Sequence, residues 1–158
     1  MFTAEFELEP GSMCDGRETN FAVCNIGHHI YVIGGSGYTN GKCERFDVLS
    51  RKWSRLPCEL VHENVCEMAV ATLKKRYIYT FGGRKASNLY AQNTSYDKSV
   101  FTRLDTLRMD RGWEVLLTRH TYANYYGYGF GVMPLGPISD DKFEFLVFGG
   151  GETGQSND

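Results

Sequence analysis

Ile30-Tyr31-Val32-Ile33-Gly34-Gly35, Ile78-Tyr79-Thr80-Phe81-Gly82-Gly83 and Phe145-Leu146-Val147-Phe148-Gly149-Gly150 are three versions of one pattern. Each is a short apolar run, rich in β-branched or aromatic side chains, closed by a glycine pair. A run of that length bounded by a turn signal reads as a strand buried on both faces. The glycines are expected to end it where the backbone turns sharply or packs closely. The second glycine pair follows the first by 48 positions, and the third follows the second by 67. Self-similarity on this scale marks a repeat architecture, in which small sheets stack on one another.

A second feature recurs in phase with the first. Glu44-Arg45-Phe46-Asp47 is followed by Trp53 and Leu56-Pro57, and Thr102-Arg103-Leu104-Asp105 is followed by Trp113 and Leu116. In both units the Trp precedes a Leu by three positions. The second unit is longer by 12 positions between glycine pair and Trp, ten of them in the loop after the glycines. Strands keep their spacing while loops absorb the difference, as a repeat scaffold allows.

This arrangement resembles the Kelch family, with a diglycine ending the second strand, an aromatic on the third and a Trp on the fourth. Met13 and Arg17 before one first strand, and Arg119-His120 before another, add to the resemblance, which covers residues 13–150. The second unit departs from it at Leu104, where the family prefers Tyr, and has no Arg before its first strand. The implied fold class is all-β: Kelch-type propeller blades, each a four-stranded antiparallel sheet. Blade one is expected to have strands near 21–26, 29–33, 43–47 and 52–56, and blade two near 66–73, 76–81, 100–105 and 112–117. Blade three is expected near 126–133 and 142–148. Phe2, Ala4, Phe6 and Leu8 alternate with polar residues up to Pro10, the period of a half-buried strand.

The chain therefore reads as one partial propeller: 1–12 an outer strand of a preceding blade, 13–58 blade one, 59–118 blade two, and 119–158 the first half of blade three. Propellers close with about 4–8 blades. An open arc belonging to a larger, six-bladed ring is expected, with bare strand edges at 143–148 and near 2–8, or edges covered by another chain.

Composition narrows the function. Net charge is −2 and the basic residues are scattered, which argues against nucleic acid as a partner. The one short basic run, Lys74-Lys75-Arg76, reads as a hairpin turn. No run approaches the roughly 18 apolar residues of a membrane span. Residues 1–10 carry three Glu and no basic residue, unlike a secretory signal. Five cysteines, an odd number without C-x-x-C spacing, suggest reduced thiols and no intrachain disulfide. The expected compartment is the cytoplasm, the cytoskeleton included. Without a signal, the sequon at Asn93 reads as a chance match.

No residue set points to catalysis, a metal or another cofactor. His28 and His29 are adjacent, and neighbours on extended backbone point to opposite faces, so a shared metal is not expected. His62 and His120 lie between blades, and Asp140-Asp141 reads as a turn. The glycines at 149–151 are followed by no Lys-Ser or Lys-Thr and so are not a phosphate loop. Tyr122, Tyr125, Tyr126 and Tyr128 raise a similarity to galactose oxidase, whose copper site needs a Cys beside a Tyr. The nearest cysteine in sequence is Cys66, and aromatic packing is the simpler reading.

The resemblance implies a non-catalytic protein-interaction scaffold. The alternatives are a substrate receptor of a ubiquitin ligase, which usually has an N-terminal BTB domain, and a propeller-type enzyme. In this family partners bind loops after the diglycine and between blades, here 36–42, 84–99, 57–65 and 117–125. Tyr38, Arg84, Asn88, Tyr90, Tyr96, Arg119 and Tyr122 are the expected partner-binding residues, since Arg and Tyr are enriched at hot spots. Completion by further chain segments or another subunit is also expected.

Overall fold

In the computed structural model, the repeated apolar runs are the second strands of antiparallel sheets. Residues 13–14, 19–36, 41–61, 65–85, 101–116, 128–139 and 142–151 are described. In chain order the strands are β1 (Ala22–Ile26), β2 (His29–Ile33), β3 (Cys43–Asp47), β4 (Lys52–Arg55), β5 (Val65–Cys66), β6 (Ala69–Leu73) and β7 (Tyr77–Phe81). They continue with β8 (Arg84–Lys85), β9 (Phe101–Asp105), β10 (Trp113–Val115), β11 (Tyr128–Ser139) and β12 (Lys142–Gly151). Two four-stranded sheets have meander order, β1-β2-β3-β4 and β6-β7-β9-β10, and β11 pairs with β12. The architecture is all-β, the class expected of the repeat, and among the described residues the sheets are open rather than closed into a ring. Between the repeats, β5 and β8 form a short ladder that the sequence pattern did not signal.

The two full sheets share a register. Ile30 lies opposite Phe46, and Phe46 opposite Trp53. Ile78 lies opposite Leu104, and Leu104 opposite Trp113. Each second strand is covered on both faces: Val32, Ile33, Ile78 and Tyr79 are all buried. One core cluster joins the sheets through Tyr31 and Ile33 on one side and Ile78, Leu104 and Trp113 on the other. The two tryptophans occupy equivalent register positions, as the phased repeat implies, but only one of them is largely buried. Trp113 retains 8% of its surface, whereas Trp53 is half-buried, its ring packed on Phe46 at 5.1 Å in a strand otherwise exposed.

The first strands of the units lie side by side, β1 beside β6 and β6 beside β11. The Glu67 N–H donates to the Asn20 carbonyl at 2.9 Å and ties the two blade entrances together. The third unit packs on the second through Phe145, whose ring meets Tyr79 at 5.0 Å and Phe81 at 5.1 Å.

The glycine pairs of the first two units turn the chain as expected. Gly35 has φ +112°, and a β-carbon there would lie 3.1 Å from Phe21 Cβ and 3.2 Å from the Thr19 carbonyl oxygen. Directly after it, the Ser36 N–H donates to that carbonyl at 2.9 Å, and the Thr19 N–H donates to Ser36 Oγ at 3.2 Å. The third unit departs from the expectation. Its glycine run does not end the strand: Gly149 pairs with Phe130 and Gly151 with Tyr128. Its first strand also runs past Pro134 to Ser139, rather than stopping near 133. Proline cannot donate to a ladder, and register shifts between Pro134 and Gly136 and between Pro137 and Ser139 absorb the irregularity.

All five cysteines are free thiols, with Cys43 and Cys66 buried and Cys14 exposed. Burial pushes the Cys24 thiol up to about 12, and Cys43 beside it adds to the effect. A thiol so far from ionisation is a poor nucleophile. Alkylation with iodoacetamide at pH 8 is therefore expected to modify Cys14 first and Cys24, Cys43 and Cys66 only after denaturant is added. Peptide mass spectrometry reads the order, and labelling of Cys24 as fast as Cys14 would refute it.

Candidate functional site

In a meander, the turns joining the first strand to the second and the third to the fourth emerge at one end of the sheet. In both full sheets that end is built to a single plan. Asp47 and Asp105 are the last residues of β3 and β9. Asp47 Oδ1 accepts from the N–H groups of Leu49 at 2.9 Å and Ser50 at 3.0 Å. Asp105 Oδ1 accepts from the Leu107 N–H at 3.0 Å. An aspartate that hydrogen-bonds the backbone two residues on fixes a turn locally. The Val48 N–H donates to the His28 carbonyl at 2.9 Å, and the Thr106 N–H to the Arg76 carbonyl at 3.0 Å. The result in each sheet is a leucine held outward, Leu49 with 76% and Leu107 with 71% of its surface exposed.

The remaining carboxylate oxygen distinguishes the two sheets. In the second, Arg76 grips Asp105 with both arms, Nε to Oδ1 at 2.8 Å and Nη2 to Oδ2 at 2.5 Å. That bond holds the Asp105 carboxyl below its ordinary range and pushes the Arg76 guanidinium up. In the first sheet the residues at the same register are histidines. His29 pairs with Asp47 as Tyr77 pairs with Asp105, and His28 stands where Arg76 does. His29 Nε2 lies 3.5 Å from Asp47 Oδ2, and the His28 and His29 rings are 4.2 Å apart. One ligand atom from each of His28, His29 and Asp47 falls within 4.8 Å of the others.

This corrects the expectation that the two imidazoles diverge. His28 is not on extended backbone but in the turn that begins at Gly27, where φ is +60°. The turn brings its ring round to the side of His29. Burial lowers the basicity of His29, with Arg45 and His28 contributing. The Asp47 carboxyl is held below its ordinary range, first by the Ser50 N–H.

Of the expected partner-binding residues, Tyr38, Asn88, Tyr90, Tyr96, Arg119 and Tyr122 lie outside the described residues, as do His62, His120 and Asp140-Asp141. Arg84 is placed by its backbone in β8, paired with Cys66. Ser36, at the start of the first expected loop, keeps only 3% of its surface and serves the Thr19 junction. Lys74-Lys75-Arg76 forms the turn expected of it, with Lys74 Nζ 4.7 Å over the Phe143 ring. Sequence reasoning missed Leu49 and Leu107, although an Asp followed two residues later by Leu recurs in phase in both units.

Residues 19–58 match the family model described as the Kelch motif, a span that contains the whole first sheet. No curated protein matches the chain. No helix among the described residues is long and apolar enough to cross a membrane.

Proposed function

We propose, from the Kelch motif matched at residues 19–58 and the repeated sheets around it, that this chain works as a protein-interaction scaffold without catalysis of its own. The observation that carries this reading is the leucine displayed at equivalent turns of two blades, each fixed by an aspartate. Burying one such side chain against a partner is worth about 1.5–3 kcal/mol, and a preformed turn spares the ordering entropy of a loose loop. Tyr38, Arg84, Asn88, Tyr90, Tyr96, Arg119 and Tyr122 are proposed as further partner-binding residues on the strength of the family resemblance alone. Five free thiols are in keeping with a reducing, cytoplasmic setting.

The test is site-specific crosslinking in the native cell from positions 49, 107 and 90, followed by the variants Leu49→Asp and Leu107→Asp. One recurrent crosslinked partner is expected, with capture reduced at least about tenfold in the double variant, the equivalent of 1.4 kcal/mol. The melting temperature should be unchanged, since both side chains face solvent. Full capture in the double variant would remove the leucines from the interface. Capture lost only together with folding would make them structural.

A further inference from the structure

We propose that His28, His29 and Asp47 bind a divalent transition-metal ion of the zinc class at the turn end of the first sheet. The three side chains offer one ligand atom each within 4.8 Å of one another. Zinc binds imidazole nitrogen and carboxylate oxygen at about 2.0–2.2 Å. Two ligands on a tetrahedral ion then lie about 3.3–3.5 Å apart by that geometry. His29 Nε2 and Asp47 Oδ2 already stand at 3.5 Å. The exposed His28 ring lies 4.2 Å from that of His29, with a ligand nitrogen within 4.8 Å of the other two ligand atoms.

Two further observations favour an ion here. The first is orientation from behind the ligands. Asp47 Oδ1 is occupied by the Leu49 and Ser50 N–H groups, which leaves Oδ2 turned toward the imidazoles, as a supporting shell does in metal sites. The second comes from the neighbouring sheet, where the same carboxylate at the same register carries a built-in cation, the Arg76 guanidinium. In the first sheet that position is His28. Neutral imidazole is the ligating form. A bound divalent ion would supply the positive charge that Arg76 supplies next door. Imidazole with carboxylate suits zinc, nickel or copper rather than calcium or magnesium. Three protein ligands leave one position open for water or a side chain of a partner.

The experiment titrates Zn²⁺ and Co²⁺ into the purified 158-residue chain, with calorimetry for the zinc and visible absorption for the cobalt. One ion per chain is expected, and the cobalt complex should lack thiolate-to-metal charge-transfer absorption, which separates this site from the cysteines. His28→Ala and Asp47→Asn should each weaken binding at least about tenfold. Asp47→Asn retains the oxygen that accepts from Leu49 and Ser50, so the turn persists. His28 is exposed, and its loss should leave the metal-free melting temperature unchanged. No uptake at millimolar ion, uptake unaltered in both variants, or a thiolate charge-transfer band would each overturn the assignment.

Discussion

Replacing Trp113 with alanine is expected to destabilise the chain by about 3–5 kcal/mol, the range for removing a large aromatic from a core. Trp113 joins Ile78 and Leu104 in the cluster between the two full sheets. Against a typical domain stability of about 5–15 kcal/mol, that loss is a large fraction of the total. Trp53→Ala should cost roughly half as much, because the transfer term scales with buried area and Trp53 is only half-buried. Trp113 also carries a buried Nε1–H with no hydrogen-bond partner among the described residues. Trp113→Phe therefore removes an unsatisfied donor along with some apolar surface, and should fall well short of the alanine loss. Urea denaturation followed by circular dichroism measures all three. Equal losses at Trp53 and Trp113 would mean that the two sheets share their core evenly.

The second large effect is association. The outer edge of β12 has no partner among the described residues, and Leu146, Val147 and Phe148 on it are exposed, as are Met133 and Leu135 on β11. An apolar strand edge of this kind recruits other strands. The isolated 158-residue chain is expected to oligomerise at micromolar concentration, seen as a light-scattering mass that rises with concentration. Val147→Lys should shift the mass toward the monomer, since a charged lysine on an edge opposes pairing. A monomer with cooperative unfolding at every concentration would show that this edge is protected. The other expected edge, near residues 2–8, lies outside the described residues.

Much of the blade architecture was legible because its signals are local. Apolar runs such as 30–33 and 78–81, closed by glycine pairs, place the second strands to within a residue, and the phased Trp places the fourth. What escaped detection depends on register or on backbone detail. The length of β11 was underread because Pro134 signals a stop, whereas the bulges at 134–139 let the ladder continue. The meeting of His28, His29 and Asp47 needs both the His29–Asp47 register, 18 positions apart in sequence, and a turn at Gly27 that frees His28 from strand alternation. Unequal burial of the tryptophans follows from what covers each outer strand, which no pattern within one repeat contains.

The meander order also governs how the chain reaches this state. Every pairing in the first sheet joins strands adjacent in sequence, and all four lie within residues 22–55. Such short-range contacts close quickly, and synthesis at about 5–20 residues per second releases this segment several seconds before residue 115 is added. The first sheet can thus pair its strands on the ribosome while the second is still being made. β7, by contrast, must wait for β9 across the connection from Phe81 to Phe101. Lengthening that connection adds only about 0.6 kcal/mol of closure entropy per doubling. Until β9 arrives, β7 presents a bare apolar edge to the nascent chain's surroundings, so the interval between residues 81 and 101 is where chaperone dependence should concentrate.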